Sequence, residues 1–421
     1  MTPNRSQIGF VSTRLAGTDG VSLEVIKWVA ILEALGHTCY FFAGELDWPA
    51  ERSYQVEEAH FQHPEILHLT RDLFDDFIRS AETSQTVERL KNQLKNHLYE
   101  FVRRFDLDLL IVENALAIPM NIPLGLALTE LIAETNLPVI AHHHDFTWER
   151  ARFVTSAADD YLRAAFPPTL NSVHHVVINS FAARQVALRT GMNSMLIPNV
   201  IDFETAPEPL DEYARGLRPA LGLKSGQRLL LQPTRIVPRK RIEQAINLTH
   251  WLNSEAALVI SHSSGDEGAE YEAYLSEYAE ALNVTLIFAA GLIDHVRGTT
   301  ADGRPIYSLA DAYQQADIVT YPSIVEGFGN AFLEAIYFKR PIVMSAYEIF
   351  KIDIQPKGFK VVSFEEFITS QTIEQTQRLL HDPAYVAEMV EHNYELGRRH
   401  YSYKTLEEHL VALLGECLGT W

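Results

Sequence analysis

The sequence predicts an α/β protein built from two doubly wound, parallel-sheet (Rossmann-like) domains facing a cleft, and three observations carry that expectation. The chain has 421 residues, 47% of them hydrophobic, which is more than one ordinary core holds, so two domains are expected. Short apolar runs of strand length alternate with segments of helical period, first over the amino-terminal half and then over the carboxy-terminal half. Between the halves lies "TAPEPLDEYARGLRPALGLKSGQ", rich in proline, glycine and charge, which marks a domain boundary. The expected domains are 1–205 and 206–400, with a helix at 401–421 that either closes the second domain or crosses back onto the first.

In order along the chain, "IGFVS" reads as a strand, "TRLAGTDG" as a loop, and "VSLEVIKWVAILEALG" as a helix, because Val21, Val25, Trp28, Leu32 and Leu35 recur at helical spacing. Gly36 suits the end of that helix, and "TCYFFAG" resumes as a strand, so a right-handed crossover opens the protein. The runs "LDLLIV", "LPVIAH" and "VHHVVI" continue the first sheet; the charged stretch from about Glu51 to Phe105 reads as a helical insertion without a strand. The second half supplies "RLLLQP", "ALVIS", "VTLIFAA", "DIVTYP" and "RPIVMS" as strands. The final "SYKTLEEHLVALLGECLGTW" is an amphipathic helix.

Charge and cysteine content narrow the function. With 35 basic and 55 acidic residues the formal net charge is -20, which repels phosphate backbones and anionic headgroups and disfavours nucleic acid or stable membrane association. The amino terminus lacks a basic start with an apolar core, and no apolar run is long enough to span a bilayer, so a soluble protein that is not exported is expected. Cys39 and Cys417 are the two cysteines, too few for a disulfide or thiolate-metal framework, and a reducing cytoplasm is the simplest compartment.

Four stretches carry candidate chemistry. In "EGFGNAFLEA", Gly327 and Gly329 allow a tight turn around Phe328, and a helix is expected to begin near Asn330 with its first N–H groups directed at an anion. Glu326 precedes that turn and Glu334 lies about one turn inside the helix; carboxylates beside an anion site suit the hydroxyls of sugars and riboses. "TRIVPRKRIE" places Arg235, Arg239, Lys240 and Arg241 in one loop. Guanidinium and ammonium groups converging there would neutralise a diphosphate leaving group, and Arg235 and Lys240 are expected outside the cores. "GTDGVS" holds Gly17 and Gly20 in a turn that is not a dinucleotide fingerprint. "VIAHHHDFTWERARF" ends a strand in three histidines, and alternation puts His142 and His144 on one face and His143 on the other. A metal set of His142, His144 and Asp145 is conceivable, but no H-E-x-x-H or similar spacing supports it; hydrogen-bonded burial is the plain reading of His142 and His143.

"TRIVPRK" and "EGFGNAFLEA" together, with the glycine loop and "IPNVID" in the same order, resemble glycosyltransferase family 4, the retaining enzymes of the GT-B fold, over nearly the whole chain. The resemblance implies an acceptor-side first domain and a second domain that binds a nucleotide sugar. It implies that Arg235 and Lys240 hold the diphosphate, that Glu326 contacts the transferred sugar and that Glu334 contacts the nucleotide ribose. Gly327, Phe328, Gly329 and Asn330 then line the donor, Gly17 and Gly20 approach its phosphates and the acceptor, and His144 with Asp145 stands near the reacting carbon. The nucleotide sugar is a co-substrate, and no cofactor or protein-bound metal is implied. Asn199 and Asp202 match a junction segment expected to fix loop geometry, whereas His262 stands where the family often has glycine.

The acceptor is expected to be small, soluble and anionic. Arg150 and Arg152, just beyond His144, are two guanidiniums that would hold its carboxylate or phosphate. "GTDGVSLE", "HHHDFTWERARF" and "IQPKGF" further resemble members that glycosylate glucosylglycerate or its phosphate from GDP-mannose, with the sucrose-phosphate synthases as neighbours, so the expected donor is GDP-mannose or UDP-glucose. The alternatives are transfer to a polysaccharide or lipid-linked acceptor, a nucleotide-sugar-binding protein without turnover, and a metal-dependent hydrolase built on the histidines.

Overall fold

The computed structural model describes residues 5–252, 256–264 and 269–419. The chain divides into two units, one formed by Met1–Val200 with Tyr403–Trp421 and the other by Ile201–Ser402.

The first unit contains β1 (Gln7–Val11), β2 (Thr38–Ala43), β3 (Ser53–Gln55), β4 (Leu109–Glu113), β5 (Val139–His143), β6 (Val173–Val177) and β7 (Met195–Leu196). They form one sheet in the order β3-β2-β1-β4-β5-β6-β7, and every pairing is parallel. The helix Gly20–Ala34 joins β1 to β2; the Asp19 side chain accepts from the Val21 and Ser22 N–H groups at its start, satisfying donors that the helix cannot. Gly36 follows its end at φ +95°, a conformation that glycine adopts without a Cβ penalty.

The reading of 51–105 as an insertion without a strand is corrected. Ser53–Gln55 is the sheet's edge strand, and Ala81–Arg104 is the crossover helix that leads back to β4. The strand has only three residues of mixed exposure, too short to show a period of two. The crossover helix buries Leu94, Leu98 and Phe101 against β4 residues Leu110 and Val112. The opposite face of the sheet packs Val25, Trp28 and Leu32 together with Leu406, Leu410 and Leu413. The last three belong to the terminal helix Tyr403–Leu418, which is therefore part of the first unit. Each face of the parallel sheet is thus covered by helices, as its buried, near-continuous apolar strands require.

The second unit contains β8 (Arg228–Gln232), β9 (Ala256–Ile260), β10 (Thr285–Phe288), then β11 (Ile293–Asp294), β12 (Gly298–Thr299) and β13 (Pro305–Ser308), and finally β14 (Ile318–Tyr321), β15 (Ile342–Ser345) and β16 (Val362–Phe364). Six of these make a parallel sheet in the order β10-β9-β8-β14-β15-β16, while β11, β13 and β12 form a small separate sheet. Neither the small sheet nor β16 stands out in the sequence, because two- to four-residue strands carry no periodic signal. The core of this unit joins Leu230, Leu258, Ile260, Ile318 and Val343 from the sheet to Ile242, Ile246 and Leu275 from its helices.

The two sheets share one topological property. The order of strands reverses between β1 and β4 in the first unit and between β8 and β14 in the second. In open parallel sheets the loops at such a reversal run in opposite directions and leave a crevice at the carboxyl ends of the strands, where ligands bind.

Candidate active site

In the second unit the two motif loops leave the carboxyl ends of the two strands at this reversal. The basic loop follows β8 and "EGFGN" follows β14, and β8 and β14 are paired neighbours. The loops are tied together: Ile324 N–H donates to the Arg239 carbonyl at 3.2 Å, and Arg239 Nη1 donates to the Val325 carbonyl at 3.2 Å. Pro238–Lys240 forms a single 3-10 turn that folds Lys240 inward, where its ammonium pairs with Glu326 and lies 5.2 Å from the centre of the Tyr321 ring. Lys240 is 8% exposed, so the expectation that it lies outside the cores is corrected; Arg235 is exposed.

Burial by itself would raise the Glu326 carboxyl, but the Lys240 ammonium, together with Arg239 at 3.5 Å, holds it below its usual value. Glu334 is placed separately, eight positions on and inside the helix Asn330–Tyr337, where it accepts from the buried Tyr313 hydroxyl at 2.6 Å. The two glutamates therefore have different environments: one is neutralised by cations and the other is held by a phenol. The helix starts from Gly329 at φ +117°, where an added Cβ would come within 2.3 Å of the Tyr347 hydroxyl. That hydroxyl donates to the Phe328 carbonyl at 2.8 Å, so the turn that presents the helix start is closed by a tyrosine behind it. Gly327 is exposed and Phe328 buried. His262 stands at the end of β9 and bonds to Ser261 Oγ at 2.8 Å. Burial, with His295, Arg235 and Lys240 nearby, pushes its imidazole down to about 4, so it faces this site as a neutral ring.

In the first unit the reversal brings the glycine loop, after β1, beside the end of β4. Glu113, the last residue of β4, stands in register with His142 of β5. Its side chain is fully buried, with Oε2 at 3.0 Å from both His142 Nδ1 and His144 Nε2. Against the burial penalty, the two imidazoles hold the Glu113 carboxyl down at about 2, and the carboxylate in turn raises His144. His142 stacks on Trp28 with ring centres 4.3 Å apart. His143 points the other way and meets His175 at 2.8 Å, as strand alternation requires.

The ligand-type atoms of Glu113, His142 and His144 lie within 4.8 Å of one another. His142 Nδ1 bonds to Glu113 Oε1 at 3.2 Å and His144 Nε2 to Oε2 at 3.0 Å, one imidazole to each carboxylate oxygen, and we read the cluster as a hydrogen-bonded network. Asp145, offered as a metal ligand alongside His142 and His144, instead accepts from Arg150 at 2.7 Å. The Asn114 side chain fixes the start of the His144 loop by accepting from the His144 and Asp145 N–H groups at 2.9 and 3.2 Å. Arg152 is exposed and extends over Phe153 to the Met120 sulfur. Gly17 gives its N–H to Asp47 at 2.7 Å, and Gly20 opens the helix Gly20–Ala34. At the junction Asp202 accepts from Thr205 N–H at 3.2 Å.

Glu113, Asn114, Tyr313 and Arg14 escaped the sequence reading. Glu113 carried one signal: it is the single acidic residue in the apolar run "LLIVE", at the carboxyl end where sites form.

Two doubly wound units, with the motif loops at the reversal of the second sheet, define a protein of the GT-B fold. A glycosyltransferase from Rickettsia africae superposes with a TM-score of 0.72 at 12% identity, covering 99% of this chain and 100% of that one. The family described as glycosyl transferases group 1 matches residues 215–396. Mannosylglucosylglycerate synthase from Thermotoga maritima is 34% identical over 96% of this chain and 98% of its own length. The enzyme of the same name from Petrotoga mobilis is 33% identical over 85% of this chain and 86% of its own. The chain belongs to the group 1 glycosyltransferase family.

No helix among the described residues is long and apolar enough to cross a membrane.

Proposed function

We propose that the chain is a retaining hexosyltransferase that moves a mannosyl group from GDP-mannose to a glucosylglycerate-type acceptor in the cytoplasm, without a bound metal. The observation that carries this reading is the similarity to the Thermotoga mannosylglucosylglycerate synthase, at 34% identity over 96% of this chain, which spans both units. In this reading the second unit holds the donor. Arg235, Lys240 and the start of the helix Asn330–Tyr337 hold its diphosphate, Glu326 its transferred sugar and Glu334 its ribose. The first unit holds the acceptor and contributes His144.

The acceptor oxygen bonds to C1 of the sugar on the face from which the C1–O bond to the diphosphate breaks. The electron pair of the broken bond leaves with the phosphate oxygen, which takes up the acceptor proton, so no general base on the protein is needed. Arg235 and Lys240 stabilise the charge that develops there. The buried Lys240–Glu326 pair supports this division, because it sets a fixed cation and a hydroxyl acceptor side by side.

The reading is tested by incubating the protein with GDP-mannose or UDP-glucose and with glucosylglycerate, sugar phosphates or extracted lipids, in the presence and absence of a chelator. The expected product is mannosylglucosylglycerate, formed equally in chelator and with the donor's anomeric configuration kept. Transfer to the lipid fraction alone, an inverted product, or activity abolished by chelator would each contradict a stated part of it.

The two glutamates are expected to separate in the same assay. Glu334→Gln weakens the affinity for plain nucleoside diphosphate about tenfold, because a charge-assisted hydrogen bond contributes roughly 1.5 kcal/mol or more. Glu326→Gln leaves that affinity closer to wild type and lowers turnover, through loss of sugar positioning. Calorimetric titration of the diphosphate into each variant decides it, and equal weakening in both would remove the division of roles.

A further inference from the structure

We propose that Arg14 reads the acceptor, as the partner of a single carboxylate in the pocket at the β1–β4 reversal of the first unit; this rests on the reading that the acceptor is a small anionic sugar. The pocket has a volume of about 80 Å3 and lies where Ser12 and Thr13 leave β1 beside Glu113 and Asn114 at the end of β4. Phe61 and Met120 form part of its apolar wall, and Arg14 is the one lysine or arginine among its lining residues.

Arg14 is held in place from both sides. Its Nη2 donates to Asp19 Oδ2 at 2.9 Å, and its guanidinium carbon lies 5.5 Å from the centre of the Phe61 ring. Asp19 is itself immobilised, accepting from the Val21 and Ser22 N–H groups and from Ser22 Oγ at 2.8 Å. One bond to Asp19 leaves most of the guanidinium's five N–H donors for a ligand, in the fork geometry that matches a carboxylate. The side chain is 33% exposed, so a solute can reach it.

The other wall groups narrow the ligand further. Glu113 also lines the pocket, but its carboxylate is fully buried and turned to His142 and His144, so Asp19 is the carboxylate paired with this guanidinium. One guanidinium already shared with one carboxylate suits a single negative charge together with a hydroxyl that donates to Asp19, and it disfavours a phosphate carrying about two charges. A sugar attached to a carboxylic acid has this composition, and its ring can lie against Phe61. Arg150, proposed from the sequence for this role and paired with Asp145, and Arg152, which extends to Met120, are not among the residues that line this pocket.

The test compares three acceptors that share one sugar: glucosylglycerate, the neutral glucosylglycerol, and the phosphate-bearing glucosyl-3-phosphoglycerate. Wild type is expected to prefer the first. Arg14→Gln is expected to reduce kcat/KM for glucosylglycerate tenfold to a hundredfold, mostly through KM, and to shrink its preference over glucosylglycerol by the same factor. Arg14→Lys recovers part of that preference, and Arg152→Ala changes it less than Arg14→Gln does. Melting curves of each variant check folding, and Arg14→Lys keeps the test usable if Arg14→Gln is unstable. A wild-type preference for the phosphate acceptor, or an Arg14→Gln enzyme with the wild-type preference intact, would overturn the assignment while leaving glycosyl transfer to this class standing. A wild-type enzyme silent toward all three would instead remove the functional reading, and the inference with it.

Discussion

Lys240→Ala is expected to lower turnover by a hundredfold or more. In the proposed mechanism the negative charge on the departing diphosphate peaks in the transition state, and a preorganised cation facing it typically contributes about 2.7–4 kcal/mol. Lys240 meets the requirement for preorganisation, being buried, packed beside Tyr321 and paired with Glu326. The same burial gives this variant a second effect: it leaves the Glu326 carboxylate without its main partner, so the melting temperature falls as well. The two effects can be separated. Adding Glu326→Gln to Lys240→Ala relieves the unpaired charge and restores part of the stability, but it does not restore turnover. Arg235→Ala lacks the stability effect, because Arg235 is exposed, and is expected to lower turnover with little change in melting. Steady-state kinetics and thermal melts on these variants check the set, and near wild-type turnover in Lys240→Ala and Arg235→Ala would remove the role assigned to the basic loop.

Glu113→Ala is expected to destabilise the protein by about 3–5 kcal/mol, the range for breaking a buried charged pair by removing one partner. His142 and His144 lose their shared acceptor at once, and His142 lies against Trp28 in the core. Glu113→Gln keeps the shape and part of the hydrogen bonding, so it costs less. The pH dependence carries a definite sign. The Glu113 carboxyl is depressed from 4.5 to about 2 in the folded state. Its contribution is therefore fully present above about 4.5 and is lost as pH falls towards 2. The stability gap between wild type and Glu113→Gln should narrow over that window. His144 is raised by the same carboxylate, so its own contribution is present below 6.5 and fades as pH rises through its folded value. Urea unfolding at pH 9, 7, 6, 4 and 3 checks both signs, and a gap below about 0.5 kcal/mol at pH 7 would show that the network contributes nothing to the fold.

The strands of both main sheets were legible wherever an apolar run was long enough to stand out, as in "LLIVE" and "RLLLQ", because burial on both faces demands such runs. The motif loops were legible for a related reason. Glycines at a helix start and cations in a loop answer to local backbone geometry and local charge, which sequence displays directly. The edge strand Ser53–Gln55 was not legible, since three residues of mixed exposure carry no period and pairing with β2 alone makes them a strand.

By itself, then, the sequence determined the α/β class, the alternation of strands and helices in two halves, and the family. It also determined that His142 and His144 share a face while His143 takes the other, since the pleat alternates with a fixed period of two. Tertiary structure alone decided what those faces meet. Register between β4 and β5 sets Glu113 against His142 across 29 positions of chain, and the β1–β4 reversal gathers Arg14, Asp19 and Glu113 around one pocket. The physical reason is that periodicity constrains each strand on its own, whereas register and strand order depend on how complete sheets and their helices pack, which no short stretch of sequence contains.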